Sequence, residues 1–78
     1  MNELKLKEMN SERVVYFYQP DGKGERGEIL YSFVDGKASV SKQSKDDEIG
    51  RYAHKAVEKV EECVKKNNLP LEFIQAWY

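Results

Sequence analysis

Residues 46–68 read DDEIGRYAHKAVEKVEECVKKNN, and this stretch decides the fold. Its apolar residues recur at steps of three and four, which predicts an amphipathic helix with one apolar stripe. The stripe comprises Ile49, Tyr52, Ala53, Ala56, Val57, Val60 and Val64. Because strand-like runs precede this helix, its stripe is buried most simply against one face of a sheet.

Both ends of the helix carry the expected signals. Residues 44–47 resemble a capping box, and the acidic side chains at 46–48 suit the positive end of the helix dipole. Two lysines at 65–66 suit the other end. Asn67 or Asn68 can adopt the left-handed conformation that ends a helix, ahead of a proline that prevents its continuation.

The runs around the helix predict the strands. Residues 13–19 are rich in β-branched and aromatic side chains, and residues 28–34 form a second such run. Asp35-Gly36 predicts a two-residue type I′ hairpin between this second strand and a third. Residues 71–78 fit a strand or a short helix, of which we favour the strand. Residues 1–11 are interpreted as a frayed lead-in or a short edge strand.

The hairpin turn predicts which side chains share a face of the sheet. It opposes Val34 to Lys37 and Tyr31 to Val40. The core face is then Ile29, Tyr31, Phe33, Ala38 and Val40, and the mostly solvated face is Leu30, Ser32, Val34, Lys37, Ser39 and Ser41. In the first strand, which is apolar on both sides, we expect Val15 and Phe17 to point inward. Tyr16 and Tyr18 would then flank Leu30 on the open face.

The predicted architecture is α+β. It is a three- to four-stranded antiparallel-type sheet packed on one face by a single amphipathic helix, in the order β-β-β-α-β. The 78 residues form one small domain, and the single cysteine indicates a reducing compartment, most simply the cytoplasm. No apolar run approaches the roughly 20 residues that a membrane span needs.

Three apparent motifs do not predict chemistry. Residues 22–27, GKGERG, match G-x-G-x-x-G, but a strand and not a helix follows them, so we interpret them as a hairpin loop. His54 and Cys63 lie on opposite sides of the predicted helix, about 13 Å apart along its axis, which excludes a nucleophile–base pair. Gly50 near the helix start is interpreted as a close-packing position, with a ligand-admitting gap as the alternative. We predict no catalytic residue, metal or cofactor.

The chain resembles a small uncharacterised protein family of Gram-positive bacteria. The resemblance lies in Pro20-Asp21-Gly22, in the run DEIGRYAH at residues 47–54, and in the ending Ala76-Trp77-Tyr78. It implies a bacterial cytoplasmic origin. It brings no activity, cofactor or site residue.

The sequence leaves two functions open. We predict a non-catalytic domain that binds a protein partner or itself, because aromatic side chains are plentiful and tyrosine and tryptophan favour interfaces. The candidate surface is Tyr16, Tyr18, Leu30, Arg51, His54, Trp77 and Tyr78.

The alternative is nucleic-acid binding through the open sheet face, in a layout similar to the amino-terminal domains of some transposon integrases. Tyr16 and Tyr18 would stack on bases, and Arg13, Lys37 and Lys42 would contact phosphates. Thirteen basic against fourteen acidic residues argue against that alternative. An enzyme would need a site shared between chains.

Overall fold

The computed structural model describes residues 1–76 and contains one helix on one face of a five-stranded sheet. The elements in chain order are β1 (Asn2–Met9), β2 (Arg13–Pro20), β3 (Gly27–Ser32), β4 (Lys37–Lys42), α1 (Arg51–Lys65) and β5 (Glu72–Gln75). The strands lie in the order β4-β3-β2-β1-β5, and every neighbouring pair is antiparallel. The predicted α+β class and the single helix on a sheet are confirmed. The sheet has five strands where three to four were predicted, because residues 2–9 form an additional strand, β1.

The first strand differs from the prediction. Residues 1–11 were expected to form a frayed lead-in or a short edge strand, but β1 is an eight-residue strand between β2 and β5. Leu4 is completely buried and lies opposite Tyr18, and Leu6 lies opposite Tyr16. Two leucines on one face therefore anchor a segment whose remaining side chains are mostly charged.

The faces of β2 are the reverse of the predicted ones. Tyr16 and Tyr18 point towards the helix and have no exposed surface, whereas Val15 and Phe17 lie on the open face. The helix side buries the larger rings, and each tyrosine hydroxyl finds a hydrogen-bond partner there. The sequence left this choice open because both faces of β2 carry apolar residues.

The β3–β4 hairpin has a longer loop than predicted. Ser32 lies opposite Lys37, so residues 33–36 form a four-residue loop, and the register differs by two residues from the one a two-residue turn would impose. A shift of two residues leaves each side chain on its predicted face. Ile29, Tyr31 and Ala38 accordingly pack in or against the core. Phe33 and Val40 are 43% and 42% exposed, because they lie near the margin of the sheet.

The helix begins at Arg51, five residues later than predicted, and Ile49 is 87% exposed instead of part of the stripe. Gly50 precedes the helix with φ +74°, a left-handed conformation that suits glycine. A Cβ atom there would meet nothing nearer than 3.7 Å, so the predicted close packing is wrong, and the positive φ accounts for the glycine. The predicted left-handed stop is confirmed at Asn67, with φ 53°.

Candidate functional site

The predicted interaction residues do not form one surface. Tyr16 and Tyr18 belong to the core, which excludes them from contact with a partner. Leu30 is partly exposed on the open sheet face, whereas Arg51 and His54 are exposed on the helix. Trp77 and Tyr78 lie outside the described residues. His54 Nε2 lies 2.8 Å from Glu58 Oε1, and both side chains are exposed on the helix.

The Tyr18 hydroxyl is the centre of a buried polar cluster. It accepts a hydrogen bond from the Ser44 backbone N–H at 2.9 Å and donates one to Asp47 Oδ2 at 3.1 Å. The Asp47 carboxylate also accepts the backbone N–H groups of Tyr52 and Ala53 at 3.1 and 2.8 Å. Burial raises the pKa of Tyr18 to about 12; the hydrogen bond from Ser44 acts in the opposite direction, and the Asp47 carboxylate acts in the same direction as burial. Asp47, four residues before the helix, thus provides the side-chain acceptor that the predicted capping box was expected to provide.

This cluster is structural. Its three polar side chains, Tyr18, Ser44 and Asp47, are almost completely buried, and Asp47 Oδ1 and Oδ2 both accept backbone N–H groups. Gly27 allows the cluster to form, since a Cβ atom there would lie 2.1 Å from the Tyr18 ring. The glycine motif in the sequence therefore has one member with a packing role.

A second buried tyrosine lies beside the single cysteine. The Tyr16 hydroxyl donates a 2.6 Å hydrogen bond to the Pro70 carbonyl, and the Tyr16 ring makes an edge contact with Phe73. Burial raises the pKa of Tyr16 to about 12, and it also raises the pKa of the Cys63 thiol. A raised thiol pKa disfavours the reactive thiolate, so Cys63 has the properties of a packing residue.

Two side-chain amides fasten β1 and β5 to the helix. Asn2 Nδ2 donates to the Tyr52 carbonyl at 2.9 Å and to Gln75 Oε1 at 3.2 Å. Gln75 Nε2 in turn donates to the Lys55 carbonyl at 2.9 Å. Within the described residues, Asn2 Oδ1 is buried without a hydrogen-bond partner. The hydrogen bonds of both amides are to the protein itself, so they hold β1 and β5 against the helix.

The open face of the sheet is a mixed-charge surface around one aromatic ring. Phe17 is half-buried, and Lys7 Nζ and the Arg26 guanidinium lie 5.4 and 5.0 Å from its ring centre. Ion pairs on this face join Lys7 to Glu28, Arg13 to Glu8 and Lys5 to Glu72, at 3.0, 2.8 and 3.9 Å. Acidic side chains therefore compensate Lys5, Lys7 and Arg13 on this face.

The strand β4 lies at one edge of the sheet, and its outer side presents backbone groups. The Ala38 N–H points away from β3 and donates to Glu61 Oε2 on the helix at 3.0 Å. Pairing is regular from Lys37 to Val40, and alternate residues of a strand direct their backbone groups to the same side. The Val40 N–H and C=O therefore also point outward. Since β4 is the last strand on its side of the sheet, the Val40 N–H faces away from the β3–β4 ladder.

We call the surface at this edge of the sheet the β4 edge. It consists of the outward-facing backbone of Lys37–Lys42 and the side chains of Phe33 and Val34. Val34 is 84% exposed, and Phe33 and Val40 are about half as exposed. Lys37 and Lys42 are exposed at the two ends of β4, and neither forms an ion pair with another residue in the range 1–76. This surface was not among the predicted interaction residues. Its signal was a short strand with lysine at both ends, which is typical of sheet edges.

Within residues 1–76, no three His, Cys, Asp or Glu side chains are grouped so as to hold a metal ion. No helix of that range is long and apolar enough to cross a membrane. Comparison of the chain with protein-family models, curated proteins and solved structures finds no match. The resemblance to a Gram-positive family therefore stays a prediction.

Proposed function

We propose that this domain acts by binding another protein, without catalysis, and that the partner adds a strand at the β4 edge. The observation that carries the proposal is the outward-facing backbone of Val40 on the edge strand β4. Strand addition uses such outward-facing backbone groups for affinity and neighbouring side chains for specificity. The exposed Phe33 and Val34 provide apolar area next to these groups.

A second copy of the chain is a less suitable partner for the same edge. Antiparallel pairing of β4 with β4 of another copy would bring Lys37 and Lys42 of the two chains opposite each other. Like charges directly opposite each other destabilise a strand pair. We therefore expect the isolated domain to be a monomer by light scattering at micromolar concentration. A stable dimer whose interface contains β4 would contradict this preference for a different protein.

The proposal is tested by selection from a displayed library of random nine-residue peptides. We expect peptides that bind the wild-type domain to lose binding to Val40→Pro, which removes the outward N–H, and to keep it with Val40→Thr, which retains it. Proline is tolerated at sheet edges where its missing N–H would face solvent, and circular dichroism checks that both variants fold. Selected peptides that bind the two variants equally would refute strand addition.

Nucleic-acid binding through the open face remains a second candidate because of Phe17. This ring lies on the central strand between two basic side chains, although Tyr16 and Tyr18 cannot stack on bases as predicted. If this function is correct, single-stranded oligonucleotides should bind with an affinity that falls steeply with salt, and Phe17→Ser should weaken binding. Absence of binding at low salt would remove this candidate.

A further inference from the structure

Charge on the β4 edge restricts what the added strand can be. Lys37 and Lys42 lie opposite Ser32 and Glu28 across the β3–β4 ladder, which places both lysines on the open side of the sheet. Their ladder partners are four residues apart, because a bulge absorbs one residue of β4. Four strand steps correspond to about 13 Å. A strand added on the outer side of β4 would therefore meet one lysine near each end of the paired segment.

The helix side of the same edge has the opposite character. Ala38 and Val40 point to this side, and the Glu61 carboxylate lies over the Ala38 N–H. An apolar side chain of the added strand would cover Val40, whereas an acidic one would be repelled by Glu61. The contact with Glu61 also shows that an outward N–H of β4 donates a hydrogen bond to a carboxylate oxygen.

From this asymmetry, and on the basis of the proposed strand addition, we infer that the β4 edge binds an extended acidic segment of another protein. The segment carries two acidic side chains four residues apart on its open side and small apolar side chains on its helix side. The acidic side chains pair with Lys37 and Lys42, and the backbone pairs with Val40.

Two synthetic peptides test this inference. The first is Thr-Glu-Val-Ser-Val-Glu-Thr, with both ends blocked, and the control replaces each glutamate by lysine. Binding is followed by ¹H–¹⁵N NMR titration of the wild-type domain at 50 mM salt. We expect the glutamate peptide to bind at least tenfold more tightly than the lysine peptide, with a large shift of the Val40 amide signal. The double variant Lys37→Glu, Lys42→Glu changes only exposed side chains, and it should reverse the preference.

Other outcomes would overturn the inference. Three results would each refute binding of an acidic segment at the β4 edge. They are equal binding of the two peptides, an unchanged preference in the double variant, and NMR shifts centred on Phe17. Failure of both peptides to bind at millimolar concentration would do the same. The peptide-library selection described above shows whether strand addition itself is wrong or only the acidic character of the partner. Selected peptides that need the Val40 N–H but contain no excess of acidic residues would support strand addition and refute an acidic partner.

Discussion

The buried Tyr18 hydroxyl offers a sharp test of how the segment before the helix is held. Replacement of Tyr18 by Phe removes one oxygen atom and leaves the ring in place. The Ser44 N–H then loses its partner in a region that is almost completely buried, and Asp47 loses one of its three donors.

The magnitude follows from these two contacts. A buried N–H left without a partner costs about 1–3 kcal/mol, and a hydrogen bond to a charged group contributes about 1.5–3 kcal/mol. Since the two losses share one hydroxyl, we expect Tyr18→Phe to lower the free energy of unfolding by about 3 kcal/mol. Tyr16→Phe is the matched control. Tyr16 is equally buried, but its hydroxyl makes one hydrogen bond, to the Pro70 carbonyl, so the expected loss is about 1 kcal/mol.

Urea unfolding followed by circular dichroism measures both variants. A domain of this size has a stability of roughly 4–12 kcal/mol, so the Tyr18 variant should lose a large part of it. With a urea dependence of about 1 kcal/mol per molar, the midpoint should fall by about 3 M for Tyr18→Phe and about 1 M for Tyr16→Phe. Equal midpoints for the two variants, or a change below about 0.5 kcal/mol for Tyr18→Phe, would refute the structural role of the cluster.

Three further predictions concern the core and the edge. Folding raises the pKa of Tyr16 and Tyr18 from about 10 to about 12. The free energy of unfolding should therefore be constant below pH 10 and decrease between pH 10 and pH 12, because the unfolded chain loses these protons first. Urea midpoints that stay constant between pH 10 and pH 12 would contradict this prediction. Gly27→Ala places a Cβ atom against the Tyr18 ring and should destabilise by more than about 2 kcal/mol in thermal unfolding, whereas a melting temperature near that of the wild type would show that the ring can move. Glu61→Ala frees the Ala38 N–H, which should exchange faster with deuterium by NMR while overall stability changes by less than about 1 kcal/mol; an unchanged exchange rate would mean that Glu61 does not protect this group.

Much of the fold could be predicted because its signals are local. The 3.6-residue period placed the helix stripe on Ala53, Ala56 and Val60, all of which are buried. The hairpin faces were correct even though the register differed by two residues, since a shift of two does not exchange the faces. The terminal strand was also correct over Glu72–Gln75.

The errors arose where the deciding contact is distant in sequence. Which face of β2 is buried depends on Pro70 and Asp47, and these lie 54 and 29 residues from their tyrosine partners. The first strand was predicted only as a short edge strand or a frayed lead-in because Leu4, Leu6 and Met9 are its only apolar residues, and its place in the sheet comes from pairing with β2 and β5. The β4 edge depends on strand order, which no local pattern determines.

The pairing of β1 with β5 has a mechanical consequence. Asn2 lies opposite Gln75, and the paired residues run antiparallel from there to Lys5 and Glu72. Tension applied between Asn2 and Gln75 would act along the hydrogen bonds between the two strands, which are perpendicular to the strands in an antiparallel pair. The bonds would therefore break one after another, as in a zipper, instead of resisting together. The domain would yield to a pulling force first by releasing β5, with β1–β4 still paired.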